Sequence, residues 1–198
     1  MTKNRLEAFS DGVIAIIITI MVLELHIPHG TSIQAMIPVL PAIFNYVLSF
    51  VFVGVYWNNH HHLLHAMREV SGEIMWANLH LLFWLSLIPF VTGWMGKSHF
   101  AVVPTAMYGV VMTMCALAYV LVQMAIIRRQ GGDSILAGAI GRDRKGKFSI
   151  GAYLTAIAAA FVSPWISIAI YILVAAIWFI PDRRIEHALE SRADNDPD

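Results

Sequence analysis

Six long apolar runs follow one another along this chain, with only short polar segments between them. They lie at about residues 5–27, 35–58, 73–95, 102–128, 148–163 and 164–181. A helix needs about 20 mostly apolar residues to cross the hydrocarbon core of a bilayer, and within lipid it satisfies its own backbone hydrogen bonds. The runs therefore predict an all-α membrane protein, a single domain with six transmembrane helices.

The overall composition agrees with a membrane protein and argues against several other classes. Of the 198 residues, 58% are apolar and only 13% are charged, whereas charged residues make up about 25% of an ordinary soluble domain. The formal net charge of zero argues against a nucleic-acid partner. The single cysteine, Cys115, excludes a disulfide framework. No GxGxxG, Walker or HExxH motif is present, so we expect no enzymatic activity.

The last two runs are continuous in the sequence and need a break between them. Together they span about 33 residues, which is too long for one ordinary span. A proline at the start of the second piece favours a hinge at Ser163 and Pro164. We therefore predict two short spans joined at this point.

The positive charges predict the orientation of these spans. Twelve of the thirteen Lys and Arg residues fall on one side of the six-span arrangement, and only Lys97 falls on the other. Lys and Arg accumulate in cytoplasmic loops, so both termini and the polar tail at 185–198 are expected in the cytoplasm. A five-span arrangement would move the C-terminal arginines across the membrane, which also favours the hinge.

The first run carries acids at an unusual depth. Asn4 followed three residues later by Glu7 resembles a helix capping box. Asp11 lies another turn into the run, where an ionised carboxylate must face water or a hydrogen-bond donor. Arg5 lies about 120° from it around a helix. We therefore expect Asp11 to anchor the helix through a partner on another span, or at a pore mouth.

An aliphatic stripe follows Asp11 on one face of the first helix. Ile16, Thr19, Ile20 and Leu23 fall within an arc of about 100°. Ordinary helix packing and a narrow pore shared by several copies both explain this stripe, and the spacing does not choose between them. Glu24, at the outer end of the run, either adds negative potential to a cation entrance or is an interfacial acid.

Histidines cluster around the end of the second run. His61 and His65 are four residues apart, a helical spacing that can hold a metal. No carboxylate or cysteine nearby completes a ligand set, so hydrogen bonding between helices is the main alternative. His80 lies within the third run, where a buried imidazole needs partners such as Asp11 or a neighbouring Ser or Asn.

Three motifs resemble those of one known family. The segment RLEAFSD (5–11) reproduces the RxxxFSD signature that begins the first span in the transmembrane protein 175 family. YWNNHH (56–61) resembles its YWxNHH pattern, and WANLHLLFWLSLIPFVT (76–92) is similar to its third span. The chain therefore resembles a single-repeat prokaryotic member of this family of potassium channels.

The resemblance implies a potassium-selective or potassium-preferring cation channel in a prokaryotic inner membrane. It implies a homotetramer whose first span lines a central pore, with no TVGYG filter loop and no cofactor or bound metal. The family's hydrophobic constriction would correspond to Ile16, Thr19, Ile20 and Leu23, with Glu24 at the pore entrance. Potassium and other monovalent cations, membrane lipid and further copies of the chain are then the expected partners.

The resemblance also implies a polar packing network around the start of the pore helix. The matching positions, with His80 as a further candidate, are Arg5, Phe9, Ser10, Asp11, Trp57, His60 and His61. Because three histidines follow one another at 60–62, the motif alone leaves open which imidazole takes part.

Two other functions remain open at the level of the sequence. A small proton-coupled or metal-ion transporter would place Asp11, His80 and the cluster from His60 to His65 on its transport path. A membrane enzyme that holds a cofactor would use the same histidines as ligands.

Overall fold

The computed structural model describes residues 2–131 and 144–179. The described residues form α-helices joined by short connections and one 3₁₀-helix. The helices are α1 (Lys3–Leu23), α2 (Leu40–His65), α3 (Gly72–Ser86), α4 (Ile88–Lys97), α5 (Val102–Gln130), α6 (Arg144–Ala160) and α7 (Pro164–Phe179), and the 3₁₀-helix at Ile33–Val39 leads into α2. The all-helical class predicted from the sequence is confirmed.

Four described segments are long and apolar enough to cross a membrane. They are Lys3–Leu23, Ile33–His65, Gly72–Lys97 and Val102–Gln130. A shorter apolar helix, α7, follows α6 after a break at 161–163, with Pro164 as its first residue. The crossing of α6 and α7 stays a prediction, and the predicted tail at 185–198 lies outside the described residues.

Two spans differ in detail from the sequence-based expectation. The second helix continues to His65, beyond the predicted end at residue 58, because no Gly or Pro interrupts YWNNHHHLLH. The third span is divided at Leu87 into α3 and α4. Pro89, in the first turn of α4, has no backbone N–H to continue the hydrogen bonds of α3.

The predicted capping box at the start of α1 is wrong. The helix begins at Lys3 after an extended Thr2, so Asn4 lies inside the first turn and does not cap it. No side chain caps this helix end. Glu7 is consequently available for a contact with another helix.

The subunit core is built around α5, the most buried of the four long spans. It packs against α3, α4, α6 and α7, whereas α1 packs against α2, α3 and α4. Gly109 allows α5 and α7 to approach closely, since a side chain there would collide with the hydroxyl of Tyr171. That hydroxyl donates to the carbonyl of Thr105 at 2.9 Å. The close contact fixes α7 against α5, whereas α1 lies against other helices.

Charged and polar contacts define one end of the helix bundle. Lys3 Nζ donates to the carbonyl of His65 at 2.6 Å, and Gln130 Nε2 donates to the carbonyl of Ala66 at 3.1 Å. The start of α1 therefore lies beside the ends of α2 and α5, and we call this the basic end. Of the Lys and Arg residues in the described ranges, only Lys97 belongs to the opposite end. This sorting agrees with the charge pattern, while the membrane side of the termini stays a prediction.

Candidate functional site

The two faces of α1 differ sharply in burial. The face turned into the subunit consists of Leu6, Ser10, Ile14, Ile17 and Met21. The predicted stripe lies on the other face, where Ile16 is 58%, Ile20 44% and Leu23 76% exposed. An aliphatic face that no other part of the described subunit covers has to meet lipid or another copy of the chain.

Thr19 contributes a side-chain hydroxyl oxygen to this otherwise aliphatic stripe. Its side chain is exposed, and its hydroxyl donates to the carbonyl of Ala15 at 2.9 Å. The hydrogen of the hydroxyl is thereby used within the helix, so the oxygen presents its lone pairs outward. Such an oxygen can accept from water or contact a cation.

Asp11 has a partner on a neighbouring helix, as expected from its depth. The indole Nε1 of Trp57 on α2 donates to Asp11 Oδ1 at 3.1 Å. Both side chains are partly exposed. The structure does not bring Arg5 to this pair: Arg5 is exposed, and its side chain has no hydrogen bond or ion pair with another residue in the described ranges. Phe9 is also exposed, at 48%.

A buried chain of hydrogen bonds ties the start of α1 to two other helices. His60 Nε2 and Asn78 Oδ1 lie 2.7 Å apart, and Asn78 Nδ2 donates to Ser10 Oγ at 2.9 Å. Ser10 in turn donates to the carbonyl of Leu6 at 2.9 Å. The three residues of this chain are fully buried, with 0% exposure for Ser10, His60 and Asn78. His60 is therefore the imidazole of the triplet that this polar core contains.

Asn78 is the member of this chain that the sequence analysis did not single out. It lies in a strongly apolar run, where a buried amide must find partners for both its oxygen and its nitrogen. This need for partners is the sign in the sequence that Asn78 bonds other helices. His60 Nδ1 is buried without a hydrogen-bond partner among the described residues.

His61 contacts an acid rather than a metal-ligand set. Its Nδ1 lies 2.9 Å from Glu7 Oε1, which ties α2 to α1 beside the buried chain. The ring of His61 stacks on that of His65 with centroids 6.2 Å apart. Within the described ranges, no group of three or more His, Cys, Asp or Glu residues could hold a metal ion.

His80 does not join the network. It is exposed on α3, where its Nε2 accepts a hydrogen bond from Trp84 Nε1 at 3.3 Å. His80 is two residues from Asn78, which corresponds to about 200° around a helix. The two side chains therefore point to nearly opposite sides of α3, and Asn78 faces α1.

Glu24, the expected entrance acid, forms an ion pair at the opposite end. Lys97 Nζ donates to Glu24 Oε2 at 2.8 Å, and both side chains are nearly half exposed. A methyl group added at Gly93 would lie 3.2 Å from the same carboxylate oxygen, so α4 approaches Glu24 closely. The negative potential of Glu24 is therefore offset locally by a positive charge.

Comparisons with known proteins identify the family. The family model described as "Endosomal/lysosomal potassium channel TMEM175" matches residues 5–89. A protein named as a potassium channel in Chryseobacterium sp. (strain P1-3) is 55% identical over 190 residues, which cover 96% of this chain and 99% of that protein. The chain belongs to the TMEM175 family. The resemblance drawn from RLEAFSD, YWNNHH and the third span is thus confirmed.

Further relatives of the TMEM175 family match over nearly the whole chain. A protein named as a potassium channel in Streptomyces collinus (strain DSM 40733 / Tue 365) is 30% identical, over 87% of this chain and 89% of that protein. A crystal structure of a lysosomal potassium-selective channel TMEM175 homolog from Chamaesiphon minutus superposes with a TM-score of 0.68 at 26% identity. The superposition covers 90% of this chain and 96% of the other.

Proposed function

We propose that this chain is a potassium channel in which four copies surround one axis and α1 from each copy lines the pore. The observation that carries the proposal is the exposed stripe of Ile16, Ile20 and Leu23 on a helix whose other face is buried. The names of the full-length relatives support the choice of ion. One copy cannot enclose a pore with a single helix, so a closed symmetric ring supplies the remaining walls.

The stripe would act as a narrow apolar constriction. Hydrophobic constrictions gate pores by expelling water. A cation that passes must lose part of its hydration shell, and potassium holds its shell less tightly than sodium does. Selectivity would then come from the cost of dehydration and from the width of the bore, with no TVGYG carbonyl cage. Thr19 would offer its outward-facing oxygen to the ion or to its remaining waters.

The polar contacts at the basic end would set the rotation of α1. Ser10 is held by Asn78 of α3, and Asp11 is held by Trp57 of α2. These two adjacent residues of α1 bond in different directions, which opposes rotation of the helix about its own axis. Such fixed contacts would keep the stripe turned toward the shared axis. Loss of either contact would misalign the constriction.

The proposed setting is a prokaryotic inner membrane, with both termini in the cytoplasm. The basic end would then be the cytoplasmic end, as the positive-inside rule favours. The transporter alternative receives less support, because its residues are not gathered on one path. Asp11 bonds Trp57, while His80 lies on the exposed side of α3 beside Trp84.

The proposal is tested by the reversal potential of the purified protein in a planar bilayer, with potassium on one side and sodium on the other. A channel of this kind should give ohmic openings and a reversal potential shifted toward that of potassium. A flux that requires a pH gradient would instead favour a proton-coupled transporter and contradict the proposal.

The pore face is tested by Ile16→Ser against Ile172→Ser. Both isoleucines are exposed in the subunit, at 58% and 43%, but Ile172 lies on α7. Ile16→Ser should raise the conductance several-fold or reduce the potassium preference, since a hydroxyl makes the constriction easier to wet. Ile172→Ser should leave both unchanged. Equal behaviour of the two variants would place the stripe away from the conduction path.

A further inference from the structure

A groove of about 310 Å³ runs between α2 and α7, on a part of the subunit that the proposed pore does not use. It is lined by Phe50, Val51, Gly54, Val55, Asn58, Asn59, Trp178 and Phe179. A smaller cavity of about 40 Å³ adjoins it and shares Val55, Asn59 and Trp178. The walls are apolar over most of their length, and the amide groups lie nearer the basic end.

Gly54 gives the groove its depth. It lies in the interior of α2, where glycine is the least favourable residue after proline. A Cβ atom added at Gly54 would meet nothing within 4 Å. No close contact in the described part of the chain therefore requires glycine here. The missing side chain leaves space that a molecule outside the chain can fill.

The dimensions of the groove match one acyl chain. From Phe50 to Asn58 the helix rises about 12 Å, and half of a hydrocarbon core is about 15 Å thick. Phe50 lies near the middle of α2, and Asn58 lies toward the basic end. The groove thus follows one leaflet from mid-membrane to its polar border. An acyl chain would contact Val51, Gly54 and Val55 along this path.

Positive charge lies at the polar end of the groove. Lys145 Nζ is 5.9 Å from the centroid of the Trp178 ring and donates to the carbonyl of Ile177 at 3.4 Å. Lys147 is exposed but lies two residues further along α6, about 200° around the helix, so its side chain points to nearly the opposite side. Basic residues at a membrane border attract anionic lipid headgroups. The apolar groove and its cationic end are thus complementary to an anionic phospholipid.

The position of the groove favours lipid over a second copy of the chain. Its second wall, α7, packs on α2, α5 and α6, whereas α1 packs on α2, α3 and α4. If α1 faces the shared axis, as proposed above, α7 lies on the side away from it. The placement of α7 away from the axis rests on the proposed pore. The contacts that form the groove do not depend on that proposal.

We propose that the groove between α2 and α7 binds a phospholipid with an anionic headgroup. One acyl chain lies along Gly54, and the phosphate lies beside Lys145. The bound lipid fills the space at Gly54 and joins α2 to the start of α6 and the end of α7.

The test is native mass spectrometry of the full chain, released from membranes into detergent and titrated with phosphatidylglycerol or phosphatidylcholine. Gly54→Leu places a side chain in the groove, where an added Cβ meets no other atom within 4 Å, and should lower phosphatidylglycerol retention about tenfold. Gly151→Leu is the matched control, because Gly151 also lies within a helix, is exposed and has nothing within 4 Å of an added Cβ. It should retain lipid as the unchanged protein does. Equal retention by Gly54→Leu would overturn the proposal.

The headgroup is tested separately with Lys145→Gln, and Lys147→Gln, whose side chain points away from Trp178, is the matched control. Lys145→Gln should weaken phosphatidylglycerol binding about fivefold and leave phosphatidylcholine binding unchanged, whereas Lys147→Gln should change neither. Equal binding of both lipids by the unchanged protein would overturn the anionic assignment. If Gly54→Leu instead lowers the oligomeric mass with lipid retention unaffected, the groove is a contact between copies. Ion flux is not part of this readout, so failure of the channel proposal would be seen separately in the bilayer recordings.

Discussion

The two ends of α1 are held in different ways. At the basic end, Ser10 takes part in a buried chain of hydrogen bonds with Asn78 and His60. At the opposite end, Glu24 is paired with Lys97, and both side chains are nearly half exposed. Buried polar groups are costly to leave unpaired, whereas exposed ion pairs contribute about 0–1 kcal/mol. The polar contacts at the basic end therefore hold the helix more strongly than the ion pair at the opposite end.

Asn78→Ala gives the strictest test of this contrast, and the largest expected effect. It leaves both His60 Nε2 and Ser10 Oγ without their partner, so the free energy of unfolding should fall by about 2 kcal/mol or more. Thermal unfolding of the purified protein, with its oligomeric mass, measures the loss. Asn4→Ala, at an exposed position of α1, is the control and should change neither. An Asn78→Ala protein with unchanged stability and oligomeric mass would show that the buried chain does not hold the helix.

Asp11→Asn should have a smaller effect at the same end. The amide oxygen can still accept from Trp57, but the charge that strengthens this hydrogen bond is lost. We expect a loss of about 1 kcal/mol, with weaker assembly and an unchanged ion preference.

A double-mutant cycle with Trp57→Phe sharpens that result. Trp57→Phe removes the indole donor and keeps an aromatic ring beside Asp11. The stability losses of the two variants should not add in the combined protein, because both act on the same hydrogen bond: one removes its donor and the other removes the charge on its acceptor. Additive losses would show that Asp11 and Trp57 contribute to stability independently of each other. A normally assembled Asp11→Asn protein with altered ion preference would move Asp11 from the packing role to the conduction path.

Lys97→Gln should have the smallest effect on stability, below about 1 kcal/mol. It leaves the carboxylate of Glu24 without its cation, so cation conductance should rise at low salt. The rise should fade near 0.1 M salt, where the Debye length is about 10 Å.

Glu24→Gln serves as the opposite control for Lys97→Gln. It leaves Lys97 unpaired and should lower the cation conductance under the same low-salt conditions. A combined variant should return close to the original conductance. If all three variants conduct equally at low salt, the ion pair lies too far from the pore entrance to influence the passing ions.

The sequence predicted the parts of this picture that depend on local periodicity. The helical class follows from apolar runs, and the face shared by Ile16, Ile20 and Leu23 follows from a repeat of 3.6 residues. The depth of Asp11 required a partner from another helix, while the match to YWNNHH pointed to Trp57. The structure shows that contact, but the pore role of the stripe stays a prediction.

The contacts that sequence reasoning missed join residues far apart in the chain. Asn78 was overlooked and His80 was placed in the network because spacing alone does not tell which side of α3 faces α1. Lys97 lies 73 residues from Glu24, so no local pattern could pair them. These contacts depend on how the helices pack, which a single sequence leaves undetermined.

The break at Leu87 gives the third span a joint near its middle. The half before the break, α3, bonds the start of α1 through Asn78. The half after the break, α4, contacts Glu24 at the end of α1 through Lys97. Because Pro89 removes a backbone hydrogen bond beside this point, bending there costs less than in an unbroken helix. In the proposed channel, this joint would let the half of the third span that reaches Glu24 change its angle to the half that bonds Ser10.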